Sequence, residues 1–386
     1  MTLSERIKDE SLLQTFKNIG KVCFFIGISI ELLVLILEKS SYTNPVESWM
    51  FRIAFGFFVI KCLCTKYSSK DIILIAVLGI VSIISYKINT RDELVRIAVF
   101  VVAVKDMDFK KVLKYVFWIS VSGTVLLMIL SVVGVLGTVV DPGEGYGIKE
   151  GMTRYCFGLG SANTLSIMVW ALMLLGIYVY HEKMKLWHYL VLLILSVGVY
   201  LATVTRTSFI TMVLTLIVAF IFSKISFLKN SKIIYILGAV TIPLYVACSV
   251  WAAKVSAWHE YMTPFQNKLD DIFTGRISCL YAFVDGGGRI ENWLLFSKAG
   301  FEDYFDMGYV RMFYWYGIIP TTVMLLILIY MVYKSYRLGD YMGFVVIMII
   351  CLFNLFEAHF VSVYIARNYL LVLAGVYLFS REEKCS

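Results

Sequence analysis

Apolar runs of span length recur from about residue 19 to residue 380, each closed by a short polar or charged segment. A helix needs roughly 20 apolar residues to cross a bilayer. The pattern predicts twelve helices, at about 19–38, 48–64, 71–86, 93–104, 115–137, 161–180, 187–203, 207–223, 233–252, 309–332, 341–356 and 361–380. One long polar stretch, 253–308, interrupts the series, and a shorter one covers 138–160. No fixed-period repeat or low-complexity run is visible. The economical reading is a single membrane domain over 1–386, an all-α polytopic transmembrane bundle with 253–308 as its one large loop. The polar N-terminal segment leads into an apolar run too long for a signal-peptide core, with no small-residue cleavage site after it, so it is expected to be retained.

Composition agrees: the chain is 60% hydrophobic and 16% charged, with a mean hydropathy of +0.81, outside the range of soluble domains. The eight cysteines show neither zinc-type spacing nor a disulfide framework. The net charge of +8 need not mean nucleic acid, because membrane proteins distribute Lys and Arg asymmetrically. With a cytoplasmic N-terminus, alternate loops hold 20 of the 35 basic residues with 10 acids, and the opposite loops hold 12 basic and 16 acidic residues. The positive-inside rule therefore predicts both termini in the cytoplasm. On that orientation 138–160, the tight connection at Arg206 and 253–308 face outward.

Three arginines stand out on that face. Arg154 precedes the sixth helix in a stretch where Gly158 and Gly160 allow close backbone approach and Ser161 is placed to cap, so a helix N-terminus beside an arginine forms a candidate anion site. Arg206 is confined to the membrane surface between two apolar runs. Arg276 follows Gly275 at the start of a short amphipathic segment. Each also suits a simpler role, as a side chain snorkelling to the headgroups or edging a surface helix. Together they put three guanidinium forks on one face, and such forks match phosphate oxygens bidentately. The same face carries Asp306, and His259 as its only loop histidine. Glu357 and His359 fall between the last two apolar runs, where ionisable groups face a cavity or a partner. Arg367 is a candidate partner. Trp251, Trp258, Tyr261, Trp293, Phe296 and Tyr304 make the large loop aromatic, suited either to stacking on sugars or to an interfacial belt.

In order and side, these residues resemble the Wzy-type polysaccharide polymerases of the O-antigen polymerase and ligase superfamily. That pattern has an arginine, a Gly-rich stretch and an asparagine before a span (Arg154, Phe157, Gly158, Gly160, Asn163), then a Ser/Thr-Arg-Thr connection (Thr205, Arg206, Thr207). A Gly-Arg pair follows in the large loop (Gly275, Arg276), then an acid or histidine with a following tyrosine and glycine (Asp306, Tyr309, Gly317). Glu357 and Asn368 fit the polymerase branch. The resemblance covers about residues 150–370. Two positions depart from it: Ala162 precedes Asn163 where the family has His or Pro, and Met307 stands where an asparagine is expected. Asp306 occupies the position of a histidine in the ligases.

The resemblance implies a C-type glycosyltransferase fold in a bacterial cytoplasmic membrane. It also implies transfer of a glycan from undecaprenyl diphosphate to a hydroxyl of the next lipid-linked unit, with inversion and without metal, cofactor or nucleotide sugar. The implied partners are the lipid-linked saccharide donor and acceptor and membrane lipid, with no nucleic acid, and a chain-length regulator is allowed. On this reading Arg154, Arg206 and Arg276 hold the diphosphate and Asp306 is the general base, with Glu357 and then His259 as reserves. Asn163, Tyr309 and His359 line the saccharide cavity. A saccharide-lipid flippase, which would also need arginines, and a ligase-like glycan transferase are the alternatives.

Overall fold

The computed structural model describes residues 3–141, 153–257, 261–281, 288–362 and 364–380. It is an all-α polytopic membrane protein, and among the described residues the only β-pairing is two isolated bridges. The long helices are α1 (Leu3–Glu38), α2 (Glu47–Leu63), α3 (Ser69–Asn89), α4 (Glu93–Ala103), α5 (Phe109–Val132), α6 (Ala162–Tyr180), α7 (Leu186–Thr203) and α8 (Arg206–Lys224). After a single turn, α9 (Ser226–Asn230), come α10 (Lys232–Ser256) and the loop helices α11 (Pro264–Ile272) and α12 (Arg276–Cys279). The chain ends with α13 (Gly308–Tyr316), α14 (Ile318–Arg337), α15 (Tyr341–Phe353) and α16 (Ile365–Phe379). Eight described helices are long and apolar enough to cross a membrane, and α15 and α16 are shorter apolar helices.

Burial sorts these helices into a centre and a periphery. In α6, 67% of the apolar window is buried, against 11% in α3 and 22% in α7 and α10. Helix α6 packs on α5, α7, α8, α15 and α16. Its Trp170 ring lies 4.4 Å from Phe353 of α15 and donates its Nε1–H to Thr215 of α8. The outer helices expose isoleucines and leucines in rows, such as Ile72, Ile73, Ile80 and Ile83 on α3 and Leu190, Ile194 and Leu201 on α7. Water does not tolerate apolar surface on that scale, whereas lipid does.

The expected tenth helix, 309–332, is in fact two. Gly317 adopts φ +94° between α13 and α14, and a Cβ there would run into the backbone of Phe296 and Ser297. The large loop folds back into this break: Ile318 and Ile319 donate their N–H groups to the carbonyls of Leu294 and Leu295, and Ser297 donates to that of Tyr316. The first N–H groups of α14, which a helix start leaves unpaired, are thereby satisfied. The loop also has a small core of its own, in which Ile277, Leu280, Phe305 and Met307 pack on Ala252 and Ala253 of α10 and on Val310 and Tyr314 of α13.

Candidate functional site

Four segments distant in sequence meet at one end of the bundle. The first enters α6. Tyr155 donates to the Ala202 carbonyl, Gly158 to that of Thr138 and Gly160 to that of Lys39, so the Gly-rich stretch is stitched between the ends of α1, α5 and α7. Gly158 has φ +79°, and a Cβ would meet Ser131 and Leu127. Ser161 caps α6 by accepting from the Thr164 N–H at 3.1 Å. The neighbouring N–H of Ala162 is already taken by the Asp141 carboxylate at 2.7 Å. The anion site expected at this N-terminus is thus occupied by the protein's own acid.

The second segment is the α7–α8 junction. Val204 is left-handed at φ +55°, the Thr203 and Thr205 hydroxyls bond at 2.8 Å, and Arg206 opens α8 with an exposed side chain. Arg154 joins the two segments by donating its Nε–H to the Thr203 carbonyl at 2.8 Å. Both arginines therefore stand at this end, Arg154 half-buried and Arg206 exposed.

The third segment supplies Arg276. Gly275 is left-handed at φ +76°, and the Asp270 carboxylate accepts the N–H groups of Ile277 and Ser278, which fixes the start of α12. From there Arg276 reaches two carboxylates. Its Nη2 donates to Glu357 Oε1 at 2.6 Å, and its Nε lies 3.4 Å from Asp306 Oδ2. Nη1 turns back to the Phe273 carbonyl and the Thr274 hydroxyl. Asn163 of α6 donates to the same Glu357 oxygen at 3.4 Å. Arg276 is thus the bridge of an acid pair, with its fork engaged.

The fourth segment, the α15–α16 connection, carries Glu357. Asn354 anchors it by accepting the Gly308 N–H on its carbonyl and the Phe360 N–H on its side chain. A side chain at 308 would collide with Asn354, and this contact is what brings Glu357 beside Asp306. The two acids differ in exposure: the side chain of Glu357 is 7% accessible and that of Asp306 is 44%. Burial first, and the Asp306 charge second, raise the Glu357 pKa above the ordinary carboxylate range to about 7, against the pull of Arg276. Burial thus favours the neutral form of Glu357, and the Arg276 contact favours its charged form.

Several expected roles change on this geometry. Arg367 is not the partner of Glu357; it donates to the Val361 carbonyl at 2.9 Å. His359 does not line an open cavity. It is fully buried between the rings of Trp170, Phe353 and Tyr364, and burial, reinforced by the Lys39 charge, lowers its pKa to about 3, so it is neutral at physiological pH. Tyr309 is also enclosed, its hydroxyl donating to the Cys351 carbonyl at 2.9 Å. His259 and Trp258 lie outside the described residues. Of the loop aromatics, Trp293 stacks on Phe313, and the Tyr304 hydroxyl lies 3.4 Å from that of Ser362.

Other contributors escaped the motif reading. Arg311 is 1% exposed; its guanidinium lies over the Tyr304 ring at 3.4 Å and the Trp315 ring at 4.3 Å and donates to the Phe305 carbonyl. It thereby holds the residues just before Asp306. Arg91 supports the same segment through the Phe301 carbonyl and the other contact on Trp315. Lys39 sits 4.3 Å over Tyr364. The available signal was an arginine within an aromatic run, YVRMFYWY, which suits cation–π stacking. Among the described residues no group of three or more His, Cys, Asp or Glu is placed to hold a metal ion. Comparison of the chain with protein-family models, with curated proteins and with solved structures returned no match.

Proposed function

We propose that the chain is a polymerase of lipid-linked saccharides, acting at the outer face of a bacterial cytoplasmic membrane with both termini inside. The observation that carries this reading is the Asp306–Arg276–Glu357 bridge, with Asn163 on Glu357, at the end of the bundle where Arg154 and Arg206 also stand. Glycosyl transfer from a lipid diphosphate needs cations for the departing diphosphate and a base for the incoming hydroxyl. Arg206, exposed at the start of α8, and Arg154, held beside it on the Thr203 carbonyl, are the cations offered to the diphosphate, and guanidinium forks suit phosphate oxygens. Asp306 is the accessible carboxylate and takes the proton of the acceptor hydroxyl. That oxygen attacks the anomeric carbon of the donor, the bond from this carbon to phosphate oxygen breaks, and undecaprenyl diphosphate leaves with the electron pair. One displacement inverts the anomeric centre. Glu357 holds Arg276, and through it the orientation of Asp306.

A flippase would need a polar passage through the bundle. Glu31, Glu93, Arg96 and Arg367 are among the residues lining a cavity of about 20 Å³, room for one water and not for a saccharide. The decisive experiment is reconstitution of the purified chain in liposomes with lipid-linked repeat units, scored for a ladder of products. A ladder from the native chain that is lost in Arg206→Ala and Asp306→Asn supports the assignment. Movement of single units across the bilayer without any ladder moves it to the flippase, and near-native ladders from both variants remove the proposed site.

A further inference from the structure

At the opposite end of the bundle, about 22 Å along the 15 residues of α16 from the Glu357 connection, a cavity of about 950 Å³ opens between α1, the ends of α2, α4 and α16, and the loops that follow α2 and α4. Five lysines line it against two aspartates, Asp106 and Asp108. Two of the lysines are almost enclosed: Lys61 is 4% exposed and Lys105 is 6%. Burying an ammonium group is costly unless charge or hydrogen bonds compensate it. Lys105 meets Asp71 at 3.3 Å and Asp106 at 3.7 Å. Lys61 has neutral acceptors, the Thr65 hydroxyl at 2.6 Å and the Lys105 carbonyl at 2.9 Å. Asp108 is shared with Lys111, outside the cavity, at 3.2 Å. Among the described residues the cavity therefore carries a positive surplus.

Helix capping explains part of this, since Lys61 holds a carbonyl just past the C-terminus of α4. It does not explain Lys17 and Lys21, which lie in the body of α1, or Lys66, beyond the end of α2; all three are exposed at the rim. The lining also includes the apolar side chains Val104, Val376 and Phe379. Ammonium groups together with apolar side chains at a helix end suit a phosphate that carries or adjoins hydrocarbon. We propose that this cavity is a binding site for a phosphate-bearing anion, supplied either by the headgroup of an anionic phospholipid or by free phosphate or diphosphate. The site is separate from the acid pair and does not depend on the polymerase reading.

The test uses the full-length chain, the variant Lys17→Gln/Lys21→Gln/Lys66→Gln, and a control, Lys224→Gln/Lys229→Gln/Lys232→Gln, which removes equal charge outside the cavity. Native mass spectrometry from mixed phosphatidylglycerol and phosphatidylcholine micelles reads the lipid arm. Thermal unfolding in neutral detergent with inorganic phosphate or pyrophosphate, at constant ionic strength, reads the free-anion arm. Retained phosphatidylglycerol that the rim variant binds on the order of a hundredfold more weakly, and the control binds as the native chain does, assigns a lipid headgroup. Stabilisation by phosphate or pyrophosphate with the same variant dependence, and no lipid preference, supports the site with a soluble ligand. Equal losses in both variants, or no response to either probe, overturn the proposal.

Discussion

Removing the Arg276 guanidinium probes the acid pair most directly. Its side chain is 12% exposed and its bond to Glu357, itself 7% exposed, is 2.6 Å, whereas Asp306 is 44% exposed at 3.4 Å. Two unit charges about 4 Å apart attract by about 4 kcal/mol at an effective dielectric constant of 20, and desolvation offsets part of this. Stranding one buried partner costs about 3–5 kcal/mol, while a half-exposed pair contributes under about 1 kcal/mol. A double-mutant cycle of Arg276→Ala with Glu357→Gln is therefore expected to give a coupling of about 3 kcal/mol, and the cycle with Asp306→Asn under about 1 kcal/mol. Unfolding in detergent by heat or denaturant measures both. The buffer should be near about pH 8, above the raised pKa of about 7, so that Glu357 is ionised. In the ladder assay the Asp306 change should cost turnover with little effect on stability. Equal couplings to the two carboxylates, or additivity between Arg276 and Glu357, would refute the argument that burial makes Glu357 the structural partner and leaves Asp306 for chemistry.

Other expectations follow from the same geometry. Glu357 binds its proton more tightly in the folded chain, with a pKa of about 7 against an ordinary 4.5. Its contribution to stability is fully present below the lower value and is lost as pH rises through the upper one, by up to about 3 kcal/mol. Glu357→Gln should flatten that fall, and parallel melting-temperature profiles for the two proteins across this window would contradict it. Gly317→Ala forces a side chain into φ +94° and against the Phe296 backbone, so it should destabilise by about 2 kcal/mol or more; an unchanged melting temperature would argue against the break between α13 and α14. Arg206→Ala should leave stability within about 0.5 kcal/mol yet abolish ladders, because the side chain is exposed. Arg154→Ala should additionally cost about 1–2 kcal/mol by removing the donor to the Thr203 carbonyl, and matched losses of stability in the two variants would show that the arginines do not differ in this way.

The positions of the outer apolar helices were legible because hydropathy is a local property: a run such as α3 or α7 reports its lipid contact residue by residue. The break at Gly317 was not legible, since apolar composition continues through YWYGIIPTTV and the cause is a loop segment returning from residues 294–297. Charge type and order along the chain brought Arg154, Arg206, Arg276, Asp306 and Glu357 into consideration, as phosphate and proton chemistry restrict the side chains that can serve, whereas Asn163 entered only through the resemblance. Pairing was another matter. Glu357 meets Arg276, 81 positions away, and not Arg367, ten residues on, because the Asn354–Gly308 contact turns its loop toward α13. His359 and Tyr309 read as polar side chains near a surface but are enclosed by rings and carbonyls from other helices. The sequence by itself determined which groups exist and which helix end carries each. Only the tertiary structure decided which are desolvated and which share a charge, because both depend on through-space distances among segments that the order of residues does not encode.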